Sequence, residues 1–416
     1  MTTEIELLDC VMSAGKTQGI IKYMLENPSN NYLYISPMLT EVQDRIPNSA
    51  EALGFVSPNT NQHRTKGDHL LQLLMEGANI SFTHALFKEM TFQHLDWIHM
   101  QGYVLVIDEE ISFIEPYKEY TEDDFISLMD KGLMGIDKDK YNQVVWQWED
   151  MKDNTRYSRL RNMCDMEMIY SAPRKKGMLV LQMPVNLISA CERVILLTYQ
   201  YKDSIMDSFM RLKGIESEPV DYIDLIRSEQ EVKEYARERL QFIEPTISMK
   251  KVYKYSLSST WWNKTATVDQ IKAVNSAIQA ACRQSKQPAD KVMWTAPKGV
   301  TTEGYRKSKG NSPKHKLSVH GYASDKCFLY CSCRATNDYQ HKTVLIHAYN
   351  RFPELSVESY LQDFGYNVSR DNYALSELIQ WVWRSSIRDW NNTEPVQVAI
   401  LSQRMDDLFK NWLYSD

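Results

Sequence analysis

The run Ser13-Ala14-Gly15-Lys16-Thr17 places small residues directly ahead of a lysine and a hydroxyl. Small side chains let backbone N–H groups wrap phosphates, an ammonium at Lys16 neutralises the β- and γ-phosphates, and the Thr17 hydroxyl can hold Mg2+. A full GxxxxGK[ST] pattern would open with glycine at position 10, where Cys10 stands. A bare GKT is common by chance, so a second half of the site is needed. GYVLVID supplies it, running apolar and β-branched into Asp108-Glu109-Glu110. Acids at a strand end are often merely solvated. Downstream of a GKT, however, Asp108 can reach Mg2+ through water and Glu109 can polarise the attacking water. Glu110 reads as structural. A third group is Gln380, Arg384 and Arg388 in QWVWRSSIR. Arginines four apart share one face of a helix, and an arginine can stabilise charge on a transferring phosphoryl group. On spacing alone the plainer reading is that they pair with surface acids such as Glu377 or Asp389.

The elements that would position these residues follow from apolar patterning. Residues 4–10 read as a short buried strand, and a glycine-containing turn leads from it into a helix. Residues 32–36 form a second strand, broken by Pro37, and LTEVQDRI follows as a helix. Residues 67–77 read as a helix, NISFTHALF as a strand entering a helix, and 102–108 and 193–199 as buried strands. Strands alternating with helices predict an α/β fold with a parallel sheet covered on both faces. Residues 112–178 are polar, acidic and rich in Trp and Met. They read as a mainly helical insertion, with helices around 122–133 and 156–169 and a small core of its own. A second alternating region runs from about 206 to the end. It holds CFLYCSC (327–333) and TVLIHAY (343–349) as strands, a helix at 373–388, and VQVAIL (396–401) as a strand.

Composition narrows the function classes. A length of 416 residues predicts two domains, and 43% hydrophobic with 25% charged content is ordinary for a soluble protein. No apolar run is long enough to span a bilayer, and MTTEIELLDC lacks the basic-then-apolar pattern of a secretory leader. A cytoplasmic setting and no membrane partner are expected. Seven scattered cysteines do not make a disulfide scaffold. Cys327, Cys331 and Cys333 could make a zinc site only with help from His320 or His341, and a cysteine-rich strand is the plainer reading. A net charge of −6 excludes a protein that coats nucleic acid with its whole surface. Local basic stretches remain, at Arg174-Lys175-Lys176 and from Lys298 to Lys316. Trp261, Trp262 and Trp294 could stack on bases, although core packing is the commoner role of such residues.

The order of these motifs resembles helicase superfamily 2, in particular the compact replicative helicases encoded by tailed bacteriophages. CVMSAGKT matches motif I, VLVIDEE motif II and ALSELIQWVWRSSIRD motif VI. YISPMLTEVQDRI resembles motif Ia, ISFTHALFKEM the Thr-His element, VILLTY motif III and CRATNDYQHKTVLIHAYNRFP motif V. The resemblance covers most of the chain. It departs in reading DEEI rather than DEAD or DEAH, in having nine residues ahead of Cys10 and hence no upstream adenine-reading Gln motif, and in lacking the usual glycine of motif VI.

The resemblance implies two RecA-like lobes: residues 1–205 with the insertion at about 112–178, and residues 206–416. It implies ATP and Mg2+ between the lobes. Ser13, Ala14, Gly15, Lys16 and Thr17 would bind phosphate, Thr17 and Asp108 the metal, and Glu109 the water. Gln380, Arg384 and Arg388 would sense the γ-phosphate, with Arg388 as the finger. Ser36, Pro37, Thr83, His84, Thr336 and Asn337 would face the nucleic-acid backbone, where each taken alone would be a turn or a cap. Thr198 would relay between the two activities. The activity implied is ATP-driven DNA unwinding by a monomer in phage replication or recombination, with single-stranded or forked DNA preferred over RNA and replication proteins as possible partners. The setting would be the cytoplasm of an infected bacterial host. A double-strand translocase or packaging ATPase, and a nucleotide-switched clamp or loader, stand as the alternatives.

Overall fold

The computed structural model describes residues 4–149, 156–172, 177–300, 317–331 and 338–415. Thr336, Asn337, Cys333, the 174–176 basic triplet and residues 301–316 of the second basic stretch lie outside the described residues. The fold is α/β, built on two parallel sheets. The chain divides into two compact units. The first comprises Met1–Cys10, Lys16–Asp224 and Pro353–Ser369, and the second Val11–Gly15, Leu225–Phe352 and Arg370–Asp416.

The first unit holds β1 (Ile5–Asp9), β2 (Asn31–Ser36), β3 (Ile80–Thr83), β4 (Tyr103–Asp108), β10 (Arg193–Thr198) and β11 (Ser217–Pro219). Their order in the sheet is β11-β1-β10-β4-β2-β3, and every pairing is parallel. The central strands read YVLVID and RVILLT because both faces are covered, which a parallel sheet requires. Helix α1 (Lys16–Glu26) follows β1 directly and buries Ile20, Ile21 and Met24. The helix Lys66–Met75 opens with a capping box between Thr65 and Asp68, which satisfies amides that would otherwise be orphaned. Two contributions to this unit come from far along the chain. β11 pairs with β1, and Val357, Tyr360 and Leu361 are buried in the same core as Leu105 and Leu196.

The insertion is mixed rather than mainly helical. The two expected helices are present at Glu122–Asp130 and Ser158–Asp165. With them stands a five-stranded sheet in the order β5-β9-β8-β7-β6, from Ile114–Pro116, Leu179–Gln182, Ile169–Ser171, Gln143–Trp146 and Met134–Asp137. Its strands are three or four residues long and antiparallel, too short to show a period of two in the sequence. Phe125, Leu128, Met134, Val144, Leu160 and Ile169 form its own core, as the Trp- and Met-rich composition suggests.

The second unit carries the parallel sheet β12-β15-β14-β13, from Leu240–Phe242, Val396–Ile400, Val344–His347 and Val292–Thr295. Helix Val268–Gln284 covers part of it through Val274, Ala277, Ile278 and Ala281. Two expectations fail here. Residues 327–331 are not a strand: Cys327 ends a short helix, and only Phe328 makes an isolated bridge, to Trp294. The helix expected over 373–388 spans Arg370–Val382. Ser385, whose hydroxyl accepts the Ile387 amide at 3.4 Å, then starts a separate turn at Ser386–Arg388. Trp261, Trp262 and Trp294 are buried in this core, so packing is their role.

Candidate active site

The motif residues of the first unit gather at one edge of its sheet. Register places Asp9 beside Thr198, Leu197 beside Asp108, Ile35 beside Ile107 and Ser36 beside Thr83. All of these are carboxyl ends of parallel strands, where open α/β sheets bind ligands.

The turn after β1 has the backbone of a phosphate loop. Ser13 and Gly15 take positive φ of 66° and 103°, and α1 begins at Lys16, so the amides of its first turn have no helical partner. The Lys16 ammonium donates to the Cys10 carbonyl and, at 3.1 Å, to the Thr198 carbonyl. It is thereby held across the loop it would serve. Residues Val11–Gly15 of the loop are braced by their own unit, the second. The Ile226 and Arg227 amides both donate to the Ala14 carbonyl, at 2.9 and 3.1 Å, and Arg227 Nη1 donates to the Ser13 carbonyl at 3.3 Å. A Cβ on Gly15 would meet the Ile226 side chain at 2.8 Å, so glycine is required there by approach as well as by φ.

Asp108 and Glu109 stand at the end of β4. Glu109 has φ of 68°, a strained value for a glutamate. Its amide still donates to the Leu197 carbonyl at 2.9 Å. Burial first, and then the charge of Glu109, push the Asp108 carboxyl up to about 6, while a hydrogen bond from Tyr34 and the Lys16 charge act the other way. Thr198 Oγ1 donates to Glu110 Oε1 at 3.3 Å, tying the end of β10 to the acidic run. Glu110, read as structural, is therefore the residue through which Thr198 touches that run.

These residues fit Mg2+ with a nucleoside triphosphate. Burial and the charge of Glu109 raise the proton affinity of Asp108, and a divalent cation would relieve that. Thr17 and Asp108 supply few protein ligands, which suits an ion that keeps waters and phosphate oxygens in its shell. The helix start, the glycine cradle and Lys16 supply the anion side.

The remaining site residues divide. Ser36 accepts the Met38 amide at 3.3 Å across Pro37, and Thr83 caps the helix His84–Lys88 by accepting from Leu86. Both do the local work that turns and caps require. His84 is buried. Gln380 lies on the helix Arg370–Val382, but Arg384 and Arg388 do not share its face, because the helix stops before them. Glu377, offered as their partner, instead pairs with Arg351 at 2.8 Å. Cys327 Sγ donates to the Ala289 carbonyl and Cys331 Sγ lies 3.0 Å from His347 Nε2. Among the described residues, which do not include Cys333, no cluster of three or more His, Cys, Asp or Glu is placed to hold a metal.

Sequence reading missed three groups. Tyr34 donates to Asp108 Oδ2 at 2.7 Å. Asp9 accepts the Gln200 and Tyr201 amides at 2.7 and 3.0 Å, locking β1 to the end of β10. Glu41 is buried and paired with Arg45 at 2.9 Å. Only the i, i+4 spacing of the last pair was visible as a signal.

Comparison with known proteins adds relatives. The family described as the YonV C-terminal Rossmann-like domain matches residues 234–413, and that described as the YonV middle domain matches 114–175, within the insertion. The chain is similar to the SPbeta prophage-derived uncharacterized protein YonV of Bacillus subtilis (strain 168), with 27% identity and 98% of each chain covered. Among solved structures, one titled as apo XPD matches at a TM-score of 0.47 and 13% identity, over 99% of this chain and 95% of that one. A likeness at that level identifies no common activity.

Proposed function

We propose that this protein is an ATP-driven motor on DNA, a helicase in which hydrolysis drives translocation and strand separation. The observation that carries the reading is the convergence at one sheet edge of Lys16, Asp108, Glu109 and Thr198, at the ends of strands β1, β4 and β10. Lys16 would hold the β- and γ-phosphates, and the loop amides would wrap them. Thr17 and Asp108 would hold Mg2+, which when bound neutralises charge on the phosphate oxygens. Glu109 would orient and deprotonate the attacking water. Thr198, bonded to Glu110 and, through its carbonyl, to Lys16, is the candidate relay from the phosphate loop to the strand ends where Pro37 and Thr83, beside the buried Ser36 and His84, would meet DNA. Arg384 and Arg388, with Gln380, are proposed to sense the γ-phosphate, Arg388 as the finger. The similarity to a prophage-derived protein supports a phage origin, and with it we propose a role in phage DNA replication or recombination in the cytoplasm of a bacterial host.

The test is steady-state ATP hydrolysis without nucleic acid and with single-stranded DNA, duplex DNA and RNA, each beside Glu109→Gln. Strong stimulation by single-stranded DNA, followed by unwinding of a fork, supports the helicase. Stimulation by duplex alone converts the reading to a double-strand translocase. Stimulation by none converts it to a partner-switched clamp. Arg388→Ala should lose hydrolysis while nucleotide affinity stays within a few-fold, and a loss of binding alone contradicts the finger.

A further inference from the structure

The Tyr34 hydroxyl sits deep in the first unit. Its ring is fully buried on β2, and its oxygen donates to Asp108 Oδ2 at 2.7 Å. Register explains the reach. Tyr34 is paired with Val106, and Val106 and Asp108 lie on the same face of β4, two residues apart. The long phenol leans from one strand to the diagonal position on the next, a distance that aromatic side chains span.

A phenylalanine would fill the same volume without a polar atom to satisfy. Burying a hydroxyl is unfavourable unless it is bonded, and this bond is spent on a carboxylate. The nearby acid that could compete for it, Glu41, already holds Arg45.

We propose that Tyr34 is a positioning residue for the metal-binding carboxylate: by holding Oδ2 of Asp108, it fixes the side chain so that the other oxygen is presented to Mg2+. The inference rests on the nucleotide-site reading above. Partners behind a metal ligand orient it and sharpen affinity, typically by about 10- to 100-fold. Tyr34 touches neither metal nor nucleotide and acts only through Asp108.

The experiment measures Mn2+ affinity by electron paramagnetic resonance on the full chain with the β,γ-imido analogue of ATP. It is run on wild type, Tyr34→Phe, Asp108→Asn and the double variant. Analogue binding in EDTA serves as the readout that general damage would move. Tyr34→Phe should weaken Mn2+ binding about tenfold, leave metal-free analogue binding unchanged and add nothing to Asp108→Asn. Unchanged Mn2+ affinity in Tyr34→Phe, or additive losses in the double variant, overturns the positioning role while the nucleotide site stands. Equal weakening in EDTA overturns it in favour of packing. Failure of the wild type to bind Mn2+ with the analogue removes both the positioning role and the nucleotide-site reading.

Discussion

The carboxyl edges of the two parallel sheets are alike in architecture and opposite in content. In the first unit the strand ends carry Asp108, Glu109 and Thr198, with Lys16 donating to the Thr198 carbonyl and a positive φ at Glu109. In the second unit the corresponding ends carry Thr295 and His347, adjacent in register and both fully buried. Cys331 Sγ lies 3.0 Å from His347 Nε2 and 3.6 Å from Thr295 Oγ1. Burial pushes the Cys331 thiol up to about 12, and burial with the Arg351 charge holds His347 down to about 3. The thiol is therefore the donor and the imidazole a neutral acceptor. The first edge crowds charged groups beside a strained backbone, and the second sets a neutral thiol against a neutral imidazole whose Nδ1 has no partner among the described residues. The fold supplies a parallel strand-end edge twice, and the two copies differ in the residues they carry.

That contrast predicts a double dissociation. Lys16→Ala should reduce ATP hydrolysis by at least about 100-fold while leaving the thermal midpoint nearly unchanged. A parallel drop in midpoint would show that the first edge is structural too. His347→Ala should do the reverse. It removes a buried ring and strands the Cys331 thiol, so a loss of about 2–4 kcal/mol in denaturant unfolding is expected, with hydrolysis per folded molecule retained. Full stability in that variant would erase the distinction between the edges.

The two edges should also answer acid with opposite signs. His347 binds no proton in the folded chain until about pH 3, whereas the unfolded chain takes one up near 6.5. Its contribution to stability is thus lost as pH falls from 6.5 toward 3. Asp108 is protonated near 6 when folded and near 3.8 when unfolded. Its ionised form costs stability at neutral pH, and acidification from 6 to 3.8 recovers it. Melting curves from pH 7.5 to 4.5 should therefore flatten in His347→Gln and steepen in Asp108→Asn. The smallest expected effect comes from the latter variant alone: Asp108→Asn should raise the midpoint by a few degrees at pH 7.5 while abolishing metal-dependent hydrolysis. A lower midpoint would mean that the carboxylate's bond from Tyr34 outweighs its crowding by Glu109.

What could be read from sequence was what is local. The strands YLYIS, VLVID and VILLT announce themselves by β-branched and aromatic apolar runs, and the GKT loop by its small residues. What could not be read depends on pairing between distant segments. Tyr34 meets Asp108 only because β2 lies beside β4 in one particular register, and nothing near Tyr34 encodes that. CFLYCSC looked like a strand for its apolar content, yet Cys327 and Cys331 are buried outside any ladder. The arginines of QWVWRSSIR seemed to share a helix because no proline or glycine interrupts them. Ser385, favoured at caps, ends the regularity instead.

The return of Pro353–Ser369 to the first unit has a consequence for the order in which the molecule can be made. Val357, Tyr360 and Leu361 complete the core around β4 and β10, and the Ser369 amide donates to the Asp203 carbonyl at 2.8 Å. A ribosome releases the phosphate loop well before residue 369, and only once that residue is made can the sheet edge that serves the loop be fully packed. Between those two points the nascent chain holds its phosphate loop on an unfinished core. A single cut after Asp224 cannot yield the first unit whole, and only a rejoined chain carrying 353–369 would.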